Sequence, residues 1–132
     1  MATYKRFEDL EIWQLARQLC QLIFSYTLQD KFSKDFALKD QIKRSSGSIM
    51  DNIAEGFERG GNREFVNFLS IAKGSTGEVQ SQLYRSKDET LISEEQFINA
   101  YNLAEEIKNK TGGFMKYLNS SEFKGMKFKD RQ

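Results

Sequence analysis

The chain has 132 residues, 39% of them hydrophobic, with 20 Lys and Arg against 19 Asp and Glu and a net charge of +1. That length fits one domain able to bury roughly 65–70% of its unfolded surface, and the balanced charge argues against a strongly basic nucleic-acid binder. There is no histidine, which removes Ser-His and Cys-His nucleophile pairs, His-ligated zinc and the Glu-x-x-His ligands of di-iron bundles.

There is also no proline, which suits long uninterrupted helices. Ile12, Ala16, Leu19, Ile23 and Tyr26 step by three and four, the spacing of one buried helical stripe. Ile42, Ser46, Ile49, Ile53 and Phe57 repeat it. So do Phe65, Leu69, Ala72, Thr76, Val79 and Leu83, and then Phe97, Ala100, Ala104, Ile107, Thr111, Phe114 and Leu118. The stripes predict four helices near 8–29, 34–59, 62–89 and 94–119. Gly60-Gly61 supplies a helix C-terminal cap, Asn62 is placed to cap the next helix, and Ser93 with Gln96 forms a capping box. Short connections make sequential helices antiparallel, so residues 1–119 read as an all-α, up-down-up-down four-helix bundle. Residues 120–132 read as a basic C-terminal tail.

The single cysteine, Cys20, cannot form an internal disulfide and favours a reducing, cytoplasmic setting. No signal-peptide pattern and no membrane-spanning run is present.

Small residues cluster mid-helix: Ser45, Ser46, Gly47 and Ser48 in the second helix, and Ala72, Gly74, Ser75, Thr76 and Gly77 in the third. With the hairpin centred between Gly60 and Gly61, Ser46 and Ser75 face each other, and small side chains there let two backbones approach. Gly47, Gly74 and Gly77 point away from the core stripes. Each costs about 1 kcal/mol relative to alanine on an exposed helix face, so either that cost is tolerated or something packs on the hairpin from outside. The first helix has an apolar arc of about 200°, wider than the roughly 100° a surface helix needs. Its extra shoulder, Trp13, Cys20 and Phe24, fits a subunit interface; the alternative is a helix gripped by two neighbours of its own bundle.

The segments FEDLEIWQLA (7–16), LKDQIKRSSGSIMDNIAEGFER (38–59) and EFVNFLSIAKGSTGE (64–78) resemble the four-helix-bundle proteins encoded within intervening sequences of bacterial 23S ribosomal RNA genes. That family also includes the accessory variability proteins of diversity-generating retroelements. Asn52, Glu55, Gly56, Ser75 and Glu78 fall on its motif. Where related sequences often carry SIPSNIAEG, Met50 and Asp51 stand here. The resemblance implies a ring-like homopentamer and, for the retroelement branch, binding to RNA and a reverse transcriptase through a basic surface.

Asn52 is expected to hydrogen-bond between helices, Glu55 to pair with Arg59 one turn on, and Arg44 to meet Glu78 across the hairpin. Alternatively Asn52, Glu55, Arg59, Arg63 and Glu64 form a polar cluster open to a ligand or neighbouring subunit. Asp51 with Glu55, or Glu55 with Glu58, has helical spacing for a metal, a pattern common on exposed helices. Neither catalytic nor cofactor residues are assigned. The leading reading is a non-enzymatic homo-oligomeric scaffold or adaptor, with Trp13, Cys20, Phe24, Gly47, Gly74 and Gly77 as contacts. The alternative is an RNA-binding accessory protein using Lys43, Arg44, Arg59, Arg63 and the tail cations Lys124, Lys127 and Lys129, with Phe123 and Phe128 interleaved for base stacking. Residues 88–106 hold six acids and no base, so that stretch would face away from nucleic acid.

Overall fold

A computed structural model describes residues 4–120. A 3-10 turn, Phe7–Asp9, precedes α1 (Glu11–Thr27), α2 (Asp30–Ser33), α3 (Phe36–Arg59), α4 (Asn62–Asp88) and α5 (Glu94–Leu118). No strand occurs among the described residues. The four long helices run up-down-up-down, α3 against α4, α4 against α5, and α1 closing the ring on both α3 and α5.

Local sequence explains most of the boundaries. The Asp35 carboxylate accepts from Leu38 N at 3.1 Å and starts α3. Ser93 and Gln96 exchange their hydrogen bonds at 3.0 Å each and start α5. The N-terminal end departs from the stripe. Asp9 accepts from the backbone of Lys5 and Arg6, winding residues 7–9 into a 3-10 turn, and Leu10 is extended, so α1 begins only at Glu11. The four-residue α2 escaped the periodicity because it is a single turn; it drives Phe32 into the core at 1% exposure.

The predicted stripes line the core. Ala16, Leu19, Ile42, Ile49, Ile53, Leu69, Ala72, Val79, Leu83, Ala100, Ala104 and Ile107 are fully buried. Burying each large aliphatic side chain contributes about 1.5–3 kcal/mol. Polar positions on the stripes are mostly satisfied by their own helices: Ser46 Oγ donates to Lys43 O at 3.2 Å and Thr76 Oγ1 to Lys73 O at 2.5 Å. Thr111 is the exception, fully buried with no partner for its hydroxyl. Thr111→Val removes that unmatched group at nearly constant shape and is expected to raise stability by about 1 kcal/mol in urea titration.

At one end Tyr26 Oη donates to Gln96 O at 2.9 Å, and Gln96 Nε2 donates to Gln29 Oε1 at 2.9 Å, tying α1 to α5. At the other end Phe65 meets Phe57 and Phe114 edge-on, with ring centroids 6.0 and 5.7 Å apart. Among the described residues, no helix is long and apolar enough to cross a membrane.

Candidate functional site

The α3–α4 hairpin carries most of the residues singled out by the sequence. Gly60 closes α3 with a left-handed φ of 94°, a conformation that favours glycine. The sequence places Asn62 as the cap of α4, but Gly61 occupies the cap position in extended conformation. Asn62 is already helical, and its amide donates to Leu118 O at 3.3 Å, fastening the hairpin to the end of α5.

Across the hairpin, the residue that meets Ser75 is Ser48, with their hydroxyls 2.9 Å apart, rather than Ser46. The register is centred one residue later than a symmetric Gly-Gly turn implies, because Gly61 stays extended before α4 starts. Asn52 Nδ2 donates back to Ser48 O at 2.8 Å and to Ser48 Oγ at 3.0 Å. Asn52 therefore reaches α4 only through Ser48. One turn on, Gly56 faces α4 with no room for a side chain: a Cβ there would lie 2.7 Å from Phe68 Cβ and 3.0 Å from Phe65 Cδ1.

Glu55 and Arg59 form the expected exposed pair, at 2.7 Å, and the hydrogen bond that Arg59 donates to the Glu55 carboxylate pushes the Arg59 pKa up. Such a pair is worth little on an open surface. Arg59 also lies over the Phe68 ring. Arg63 does not join this cluster; it lines a groove with Asn67, Leu118 and Asn119. Arg44 turns to Asp40 of its own helix instead of crossing to Glu78. The helical neighbour at i−4 is always within reach, whereas a partner across the hairpin depends on the register. Arg44 and Glu78 both border an open groove with Gln41, Ser45 and Gln82. Gln82 Oε1 is buried there without a hydrogen bond.

The shoulder of α1 is partly covered by its own chain. Trp13 is half-buried, edge-on to Phe7 at 5.1 Å, with Arg17 over its ring. Cys20 is half-buried beside Ser46, and burial pushes its thiol pKa up. Phe24 stays 49% exposed under Lys43. Gly47, Gly74 and Gly77 present open space: nothing lies within 4 Å of a Cβ built at any of them. Lys124, Lys127 and Lys129, with the aromatics between them, lie outside the described residues. Among the described residues, no three acidic or cysteine side chains converge to hold a metal ion.

The model of the 23S rRNA-intervening sequence protein family matches residues 8–113, from the 3-10 turn to the last turns of α5. The chain belongs to this family. Within the 23S rRNA-intervening sequence fold, the motif residues Gly56 and Ser75 sit where α3 and α4 touch, whereas Glu55 and Glu78 point outward. A solved structure from Bacteroides thetaiotaomicron, a protein with unknown function from the S23 ribosomal protein family, superposes with a TM-score of 0.73. It is 24% identical, the match covering 80% of this chain and 98% of the other. That likeness establishes the shared helical fold. No curated protein matches the chain.

Two features escaped sequence reasoning. The Gly56 contact was hidden because Gly56 is not on the Ile42–Phe57 stripe, and its neighbours Phe65 and Phe68 come from the facing helix. The groove holding Arg63 was hidden because its walls come from residues more than forty positions apart in the chain.

Proposed function

We propose that this chain is a non-enzymatic homo-oligomeric scaffold or adaptor, its residues 1–119 forming one bundle with 120–132 as a basic extension. The observation that carries this reading is the open face at Gly47, Gly74 and Gly77 on the outside of the hairpin. Three glycines in helix interiors cost about 1 kcal/mol each relative to alanine. Close packing of a second copy offsets that cost, since a missing Cβ lets another helix approach. The buried acceptor Gln82 Oε1 borders the same hairpin, and a donor from a neighbouring copy would satisfy it. The family resemblance implies five copies. The alternative, an RNA-binding accessory protein using Lys43, Arg44, Arg59, Arg63 and the tail cations, is weakened at Arg44 and Arg59, which pair with Asp40 and Glu55 of their own helix.

Light scattering during size exclusion tests the reading. The native mass is expected near five times the 15.4 kDa of one chain. Gly74→Glu, which places a charge on the open face, is expected to yield single chains with helicity intact. A wild-type mass of one chain, or a Gly74→Glu variant that assembles normally, would remove this face from the argument.

A further inference from the structure

The 3-10 turn and the extended Leu10 bring the N-terminal segment to the seam between α1 and α5. Tyr4 stands edge-on to Phe114 of α5 there, with ring centroids 5.9 Å apart. Beside the rings is a cavity of about 220 Å³, lined by Tyr4, Leu10, Glu11, Ile12, Lys110 and Phe114. That volume lies between the ~150 Å³ apolar cavity that accepts benzene and the roughly 300 Å³ at which drug-sized sites begin. A small organic molecule fits.

The charge of this cavity is confined to one spot. Lys110 Nζ meets Glu11 Oε1 at 3.2 Å, joining α5 to α1, and Glu106 steadies the lysine at 3.9 Å. The other walls are two aromatic rings and two aliphatic side chains. Burial, then Tyr117 and Glu11, push the Tyr4 pKa up, so its hydroxyl stays protonated and is a donor. Leu10 gives α1 no side-chain cap, and the backbone N–H groups of Glu11 and Ile12 have no acceptor among the described residues. That favours a negative group at the first turn.

An exposed ion pair by itself is worth little. A lone amine or a lone carboxylate in the cavity would find one charge matched and the other repelling. A zwitterion differs. An α-amino acid carries its ammonium and carboxylate on one carbon, at a separation close to that of the Glu11–Lys110 pair. Laid head to tail on the pair, each ligand charge meets its opposite in a charge-assisted hydrogen bond, and neither protein charge loses its partner. The ligand side chain is then left to the apolar walls.

We propose that the cavity between the N-terminal segment, α1 and α5 binds a free α-amino acid with an apolar side chain. Lys110 takes its carboxylate, Glu11 its ammonium, and Tyr4 and Phe114 its side chain. No wall comes from α3 or α4, which carry Gly47, Gly74 and Gly77. On α1 the shoulder of Cys20 and Phe24 meets Ser46 and Lys43 of α3, not α5. The site therefore goes beyond the assembly reading and does not rest on it.

Isothermal titration of the full chain with L-leucine tests the site. A dissociation constant of about 0.1–1 mM is expected, the range open to a ligand this small. Isoamylamine lacks the carboxylate and isocaproate the ammonium; each is expected to bind at least about 10-fold more weakly. Glycine, without an apolar side chain, is expected to lose about as much. Lys110→Gln is expected to weaken leucine about 10-fold while isoamylamine binds as before. Glu11→Gln is expected to weaken leucine and isoamylamine while isocaproate binds as before. Gly74→Glu is expected to retain leucine affinity, which separates this site from the assembly face. Circular dichroism and native mass are recorded for every variant. No heat of binding with leucine at about ten times the expected constant, glycine as tight as leucine, or unchanged leucine affinity in both charge variants would overturn the proposal. Loss of leucine binding in a folded Gly74→Glu chain would overturn the placement of the site within one bundle.

Discussion

Phe65→Ala is expected to lower stability by about 4 kcal/mol, a fall of roughly 12 °C in thermal midpoint for a domain of this size. Phe65 is 2% exposed and stands edge-on to Phe57 of α3 and Phe114 of α5. Phe114 continues the column to Tyr4 at 5.9 Å and Tyr117 at 6.0 Å. One ring on α4 therefore joins both neighbouring helices and, through Phe114, the N-terminal segment. Its removal leaves a cavity and breaks two aromatic pairs, each worth about 0.5–1.5 kcal/mol beyond the buried area. Phe65→Leu fills much of the volume and is expected to cost less than half as much. Urea unfolding followed by circular dichroism measures both. A loss below about 1.5 kcal/mol for the alanine variant would show that this end of the bundle is closed by something other than the aromatic column.

Gly56→Ala is expected to destabilise by about 2 kcal/mol, although alanine is the better helix former by about 1 kcal/mol. The sign is decided by what the new methyl meets. Phe68 Cβ, at 2.7 Å from the Cβ position, is fixed to the backbone of α4 and cannot swing aside. Relief requires α3 and α4 to separate, which disturbs Phe65 and the Ser48–Ser75 hydrogen bond. Gly113→Ala provides the contrast, since nothing lies within 4 Å of its Cβ position; helix propensity alone acts there, and stability should rise. Thermal unfolding of the two variants should therefore shift in opposite directions. Parallel increases would mean that the close approach at Gly56 is not required.

Much of the helical structure was legible from short-range pattern. Ile12, Ala16, Leu19, Ile23 and Tyr26 are all buried, because a helix turns about 100° per residue and a three-four spacing leaves one apolar face whatever packs on it. Ser93 with Gln96 and Glu55 with Arg59 were legible for the same reason: both partners lie within one turn of one helix. The interhelix contacts were not. Ser75 meets Ser48 and not Ser46, Arg44 takes Asp40 and not Glu78, and Asn62 yields the cap position to Gly61. Each depends on how far Gly61 extends the turn and how closely Gly56 lets the helices approach.

The candidate surfaces divide in the same way. The open glycines were visible in sequence, since a residue pointing away from the apolar stripe does so in any packing. The shoulder of α1 was not, because Phe7 covers Trp13 only after Leu10 turns the chain. The grooves between α4 and α5 are likewise a product of the tertiary fold: Lys73 and Lys116 line one, and Arg63 with Leu118 and Asn119 a second, only once the two helices align. Sequence by itself determined the four long helices, their buried faces and the exclusion of histidine chemistry, all properties of local spacing and composition. Tertiary structure alone decided the register of the hairpin and which charges were left without partners, because both depend on distances between residues far apart in the chain.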